Sequence, residues 1–371
     1  MRIAVPKEIK AQEYRVGLTP AVVSQLTQAG HQVLLEADAG LGSGYSNAEY
    51  QQCGAQIITS LADLYQQAEL IVKVKEPQPE EVARFNAGHI VFCYLHLAPN
   101  RALTDALIAS GASCIAYETI TDDQGRLPLL KPMSEIAGRL ATQAGAHCLE
   151  KAQGGSGVLL GSVAGLEPGH VLIFGGGVVG SNAADVALGM GAKVTLIEPF
   201  EARRQSLRAQ YSSDRFTALS NEDLDLRVLL AEVDMVIGAA LIPGAAAPKL
   251  LSLEDLHYLA QGSVLVDVAV DQGGCFASTR PTTHLTPTFV QSGVVHYCVA
   301  NIPSAVARTA TQALSLASAP FVTALADQPL NQALRAQPNL AAGLSIARGQ
   351  LICAAVAGAQ QRDFRRWDLI L

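Results

Sequence analysis

One decapeptide constrains this chain more than any other feature. Residues 171–180, VLIFGGGVVG, pass from an apolar run into Gly-x-Gly-x-x-Gly and on into a helical pattern at 181–188. A strand feeding a helix through that spacing is a phosphate-binding turn. Gly175 permits the tight turn, Gly177 lets backbone approach a pyrophosphate, and Gly180 lets helix and strand pack closely. The helix N-terminus adds free N–H groups and positive partial charge. The next apolar run, 193–197, ends in Glu198, placed to take both hydroxyls of a ribose and to repel a 2′-phosphate; Arg203 and Arg204 pull the other way.

Around that turn the chain alternates strand and helix patterns. Before it, 2–5, 32–35, 70–73, 90–93 and 114–117 read as strands, and 20–29, 47–53, 60–67, 79–85 and 100–110 as helices. A long helical pattern from Pro132 to about Gln153 leads into a second series, with strands at 171–174, 193–197, 235–237, 264–268 and 294–299. Beyond Ile302 no strand is expected, and 304–319, 321–326 and 340–359 read as Ala-rich helices. Regular alternation demands crossover connections, so the class is α/β with mainly parallel sheets, and 371 residues suggest two domains.

Charged residues are only 16% and hydrophobic ones 49%, which excludes a disordered chain. A net charge of −7 without a basic block excludes a nucleic-acid partner. Apolar stretches break well before the ~18 residues of a membrane span, so no membrane partner is expected. The opening MRIAVPKE lacks a signal peptide's apolar core, and seven cysteines without C-x-x-C read as buried thiols of a reducing compartment. A cytoplasmic location is therefore expected. The 340–359 pattern carries Leu340, Leu344, Ile346, Leu351, Ile352 and Val356, more than one buried stripe requires. With so little charge, its second face is expected against another subunit of a homo-oligomer.

Polar residues at strand ends supply the candidate chemistry. Arg15 lies between the first strand and first helix, Lys73 and Lys75 bracket Val74 after the 70–72 run, and His96 follows the 90–93 run. Alternation places both lysines on one face. An Arg, a Lys and a His at one domain's strand edges suit an anionic carbonyl substrate: a fork for a carboxylate, a cation for a carbonyl oxygen, and a proton carrier. Asp267 and Asp271 flank Val268-Ala269-Val270, where either carboxylate serves as a turn cap or faces a ligand. No residue is assigned to a metal.

These motifs together resemble the L-alanine dehydrogenases. The resemblance rests on 1–20 (MRIAVPKEIKAQEYRVGLTP), 72–77 (VKVKEP), 94–98 (YLHLA), 131–138 (KPMSEIAG), 175–184 (GGGVVGSNAA), 266–274 (VDVAVDQGG) and 296–301 (HYCVAN), and spans essentially the whole chain. The transhydrogenase NAD-binding subunit is similar in its opening and dinucleotide domain, but VKVKEP with YLHLA favours the dehydrogenase. The family often carries Asp where Glu198 stands, and 301–309 departs from its usual MPGAVPRT.

The resemblance implies two Rossmann-like parallel-sheet domains joined by long helices. The substrate domain is discontinuous, residues 1–130 plus 305–371; the NAD domain is 131–304; the active site lies in the cleft between them. It implies a homohexamer and the reversible, NAD-dependent conversion of L-alanine to pyruvate and ammonium. Arg15 and Lys75 would bind substrate, His96 would be the acid/base, and Asp271 would assist proton transfer. Ser134, Val178, Val179, Glu198, Arg203, Ser220, Ala240, Leu241, Arg280, Val268 through Asp271 (with Ala269 and Val270), and Val299 through Ile302 (with Ala300 and Asn301) would line the NAD site. A transhydrogenase-type module and a non-catalytic NAD sensor are the alternatives.

Overall fold

The chain in its computed structural model divides into two compact units, residues 1–133 with 306–371, and residues 134–305. The structure describes residues 1–223, 225–240 and 247–371.

The first unit opens with six short strands: β1 (Arg2–Val5), β2 (Gln32–Glu36), β3 (Gln56–Ile58), β4 (Leu70–Val72), β5 (Ile90–Cys93) and β6 (Ser113–Ala116). They run parallel in the order β3-β2-β1-β4-β5-β6. Strands such as Leu70–Val72 are apolar at every position because helices cover both faces of a parallel sheet. Local signals set the helix ends: Thr19 caps Pro20–Gln28, and Asn100 caps Arg101–Ser110, which Gly111 ends at φ 73°.

The second unit contains β7 (His170–Phe174), β8 (Lys193–Ile197), β9 (Phe216–Leu219), β10 (Met235–Gly238), β11 (Val264–Asp267), β12 (Thr288–Gln291) and β13 (Val294–Tyr297). The order is β12-β13-β11-β10-β7-β8-β9; among the described residues β12 alone runs antiparallel to its neighbour. The chain then returns to the first sheet, where β14 (Leu344–Ala347) lies antiparallel to β6 and β15 (Gln350–Leu351) pairs with β14. Strand order reverses between β1 and β4 in one sheet and between β7 and β10 in the other. Ligands of open α/β sheets bind beyond the strands' carboxyl ends at such a reversal.

The structure departs from the sequence expectations at several places. Residues 340–359 are not a helix: Arg348 and Gly349, at φ 46° and 71°, make a two-residue turn of the kind that joins hairpin strands. Leu344, Ile346 and Leu351 are buried in the first unit's own core, so the surplus of apolar residues needs no second subunit. The expected break near residue 320 is absent, because one helix, Ala307–Asp327, runs through Pro320. The carbonyl that Pro320 leaves without its helical partner belongs to Leu316, which is 76% exposed. Short edge strands β3, β9 and β12 escaped the periodicity reading. All seven cysteines are free thiols, yet Cys53 and Cys353 are only half-buried. Among the described residues no helix is long and apolar enough to cross a membrane.

Candidate functional site

The glycine turn of the second unit has three separable geometries. Gly175 adopts φ 97°, and a side chain there would press on the Ala239 carbonyl. A Cβ on Gly177 would meet nothing within 4 Å, so this position faces open space at the start of the Val178–Gly189 helix. A Cβ on Gly180 would stand 1.8 Å from Gly175 O, which makes this glycine the condition for helix and turn to touch. The turn is an exposed cradle backed by tight packing, as a pyrophosphate requires.

The remaining nucleotide-site candidates follow other strands' carboxyl ends. Glu198, next after β8, is buried, and its two oxygens accept from Gly176 N (2.9 Å) and Phe200 N (3.1 Å). Each carboxylate oxygen keeps a second lone-pair direction for a ribose hydroxyl. Arg203 Nε donates to Gly176 O at 2.7 Å, while Arg204 holds Glu198 O and Pro199 O; both arginines thus brace the turn. Ser220 follows β9 and Ala240 follows β10; Leu241 lies outside the described residues. Ser134 stands one helical turn before Gly138, whose Cβ would lie 2.1 Å from Val179 O. Val299 and Ile302 are buried beyond β13, Ala300 N donates to Thr282 O, and His284 contacts Asn301 O. The Arg280 guanidinium lies over the Phe289 ring at 4.5 Å.

Asp267 resolves as a turn cap. It is fully buried and accepts from Ala269 N, Cys275 N and Thr279 Oγ1 at 2.8–3.1 Å; burial holds its carboxyl above the usual range against those bonds. From the other side, Lys249 Nζ donates to the carbonyls of Gly273, Gly274 and Phe276 at 2.5–3.0 Å. The clamped turn carries Val268, Ala269, Val270 and an exposed Asp271.

In the first unit the three polar candidates follow β1, β4 and β5, around that sheet's reversal. Arg15 is 2% exposed, and its Nε and Nη2 donate to the two oxygens of Glu13 at 2.6 Å each. Burial works against the guanidinium's charge, but Glu13 outweighs it and holds Arg15 above its ordinary value. Lys75 is half-buried; burial first, then the positive charge of Arg15, lower its amine below the ordinary lysine value. His96 is exposed, with a left-handed backbone at φ 48° and its ring 5.9 Å from that of Tyr94 at 11°.

The two lysines do not share a face. Alternation ends with β4 at Val72, and Lys73 turns into the interior to meet Glu8 (3.2 Å) and Glu81 (2.7 Å). Both glutamates outweigh burial and raise Lys73 above its usual value. Three acids escaped the sequence reading. Glu8 accepts from Val74 N and Lys75 N, Glu13 grips Arg15, and Glu118 accepts from Leu95 N and His96 N. Arg15, Lys75 and His96 are thus each fixed by a carboxylate, with Glu8 serving the Lys75 backbone and the Lys73 side chain together. A local signal existed only for Glu13, two residues from Arg15.

Comparison with known proteins places the whole chain in one family. The family described as alanine dehydrogenase/PNT matches through its N-terminal domain at residues 4–137 and its C-terminal domain at 141–354. An alanine dehydrogenase of Halomonas elongata is 55% identical over 359 residues, covering 97% of this chain and 96% of its own. An alanine dehydrogenase of Mycobacterium tuberculosis is 46% identical over 357 residues, covering 96% of each. A solved L-alanine dehydrogenase superposes with a TM-score of 0.94 at 46% identity, over 97% of this chain and 99% of its own. Two sheets reversing at paired strands, a glycine cradle and an Arg–Lys–His edge thus occur in a chain that belongs to the alanine dehydrogenase/PNT family.

Proposed function

We propose that this chain is an alanine dehydrogenase, catalysing the reversible NAD-dependent oxidative deamination of L-alanine to pyruvate and ammonium. The observation that carries the reading is the trio Arg15, Lys75 and His96 beyond the carboxyl ends of β1, β4 and β5, two of them cationic and each held by a buried or half-buried acid. NAD fits the second unit, where Gly177 leaves room for a pyrophosphate and Glu198, fixed by backbone N–H groups, disfavours a 2′-phosphate.

NAD held at the glycine turn and Glu198 would supply the acceptor for the hydride leaving the alanine Cα. Arg15, preset by Glu13, supplies the positive charge that binds the substrate carboxylate. Lys75 donates to the carboxylate or the carbonyl oxygen, and its lowered affinity for a proton makes the donation stronger. His96 takes the proton of the water that adds to C2 of iminopyruvate. It returns a proton as the carbinolamine collapses to pyruvate and ammonium. Asp271, exposed on its clamped turn, assists proton transfer. Substrate groups belong to one unit and cofactor groups to the other, so turnover requires both. The proposal includes assembly as a homohexamer in the cytoplasm, on the strength of the family resemblance.

The test is NADH consumption by the purified protein given pyruvate and ammonium. Turnover dependent on both is expected. NADH binding without consumption would support a transhydrogenase-type module or a sensor instead.

A further inference from the structure

The loop after β5 contains a residue whose backbone ordinary side chains avoid. His96 has φ 48°, where a Cβ crowds the neighbouring carbonyl, and it is followed within three residues by a proline. Such a conformation persists only when its surroundings over-determine it.

The determinant is Glu118. It lies in the single turn Tyr117–Thr119 directly after β6, next to β5 in the sheet. The ladder between these strands ends at Cys93 and Ala116. Two residues farther on, the Glu118 side chain takes over the work of the ladder. Its Oε1 accepts from His96 N at 2.7 Å, and both oxygens accept from Leu95 N at 3.2 Å. Bonds to an ionised acceptor are about twice as strong as neutral ones. Leu95 is fully buried, so no water replaces the carboxylate there. The imidazole is aligned separately, parallel to the Tyr94 ring, and that ring is anchored by its hydroxyl on Leu129 O at 2.6 Å.

We infer that Glu118 is the positioning residue for His96: it acts by fixing the backbone from which the imidazole projects. This inference rests on the role of His96 proposed above. Its consequence is confined to the proton-transfer step, because Arg15 and Lys75 hang from different strands and are held by different acids.

The experiment compares Glu118→Ala with Glu118→Gln, which keeps one acceptor oxygen, in the wild type and in His96→Ala. Glu118→Ala is expected to lower kcat for pyruvate amination about 10- to 10²-fold while KM for pyruvate and Kd for NADH stay within about twofold. Glu118→Gln recovers much of that loss. In the His96→Ala background neither change lowers kcat further, since both act through one imidazole. Equal losses in the two backgrounds, or a raised KM at unchanged kcat, overturn the assignment. Hydrogen exchange gives a readout independent of turnover. The amides of residues 95 and 96 should exchange faster in Glu118→Ala while β6 keeps its protection; unchanged protection overturns the clamp. A wild type that consumes no NADH with pyruvate and ammonium refutes the alanine dehydrogenase reading, and the exchange result still decides the clamp.

Discussion

Gly177→Ala and Gly180→Ala add the same methyl group to the phosphate turn three residues apart, and they should fail in opposite ways. Gly177 sits at φ −70° and ψ −161°, which alanine adopts, and its Cβ would meet nothing within 4 Å. Loss of a favoured N-cap residue is offset by a smaller unfolded-state entropy, so stability should change by less than about 1 kcal/mol. Gly180 differs. A Cβ there would be 1.8 Å from Gly175 O, so the turn must retreat by more than an ångström, and the backbone cannot rotate away as a side chain would. Overpacking costs about 3 kcal/mol at the upper end of its usual range, against about 1 kcal/mol regained by alanine's helix propensity. The remaining ~2 kcal/mol lowers Tm by about 4–8 °C in a unit of this size. Binding should follow the other order. A methyl on Gly177 fills the space a pyrophosphate must enter, and NADH affinity should fall at least about tenfold, or 1.4 kcal/mol. Thermal unfolding and NADH fluorescence titration on both variants separate the effects. A Gly177→Ala protein that binds NADH like the wild type would refute the placement of the pyrophosphate.

Four further outcomes are expected. Lys75→Met should abolish turnover, leave NADH binding intact and raise Tm, because it removes a half-buried ammonium that burial and Arg15 disfavour. The folded-state value lies below the unfolded one, so the gain is greatest at low pH, where both states are charged, and shrinks as pH rises through the lowered value; a gain growing with pH would contradict this. His96→Ala should cost at least about 10²-fold in rate, and near-full activity would reduce His96 to a packing residue. Glu198→Ser should increase NADPH use relative to NADH, and a wild type already preferring NADPH would contradict the ribose assignment. Light scattering at micromolar protein should give a mass near six chains; a fully active species of 38.9 kDa would refute assembly.

What the sequence disclosed depended on whether the cause was local. The glycine turn was legible because each backbone requirement, a positive φ, an open face and a close approach, is written as a residue type at a fixed offset. Glu198 was legible by the same spacing. The β14–β15 hairpin was not, because an Ala-rich run with Arg348-Gly349 lacks a strong turn dipeptide, and its strands are fixed by pairing with β6, over 200 residues earlier. Lys73 was visible as a charge interrupting an apolar run, but the acids that neutralise it, Glu8 and Glu81, come from a different loop and a different helix. Glu8 and Glu118 lie 66 and 22 residues from the amides they hold, a relation no periodicity encodes.

The discontinuity of the first unit bears on how the protein is made. Val16 N and Thr19 N, which follow Arg15 in its loop, donate to hydroxyls of Thr311 and Ser315, 295 and 296 residues later. At about 5–20 residues per second, a ribosome takes roughly 15–60 s to span that interval. Through that time the Arg15 loop waits without its braces, while every strand of the second unit is already synthesised. The second unit can therefore fold as the chain emerges, and the first is completed only once residues 306–371 have followed it. Premature termination anywhere beyond residue 305 would leave a finished nucleotide unit attached to an unfinished one, a product for chaperones and proteases to intercept.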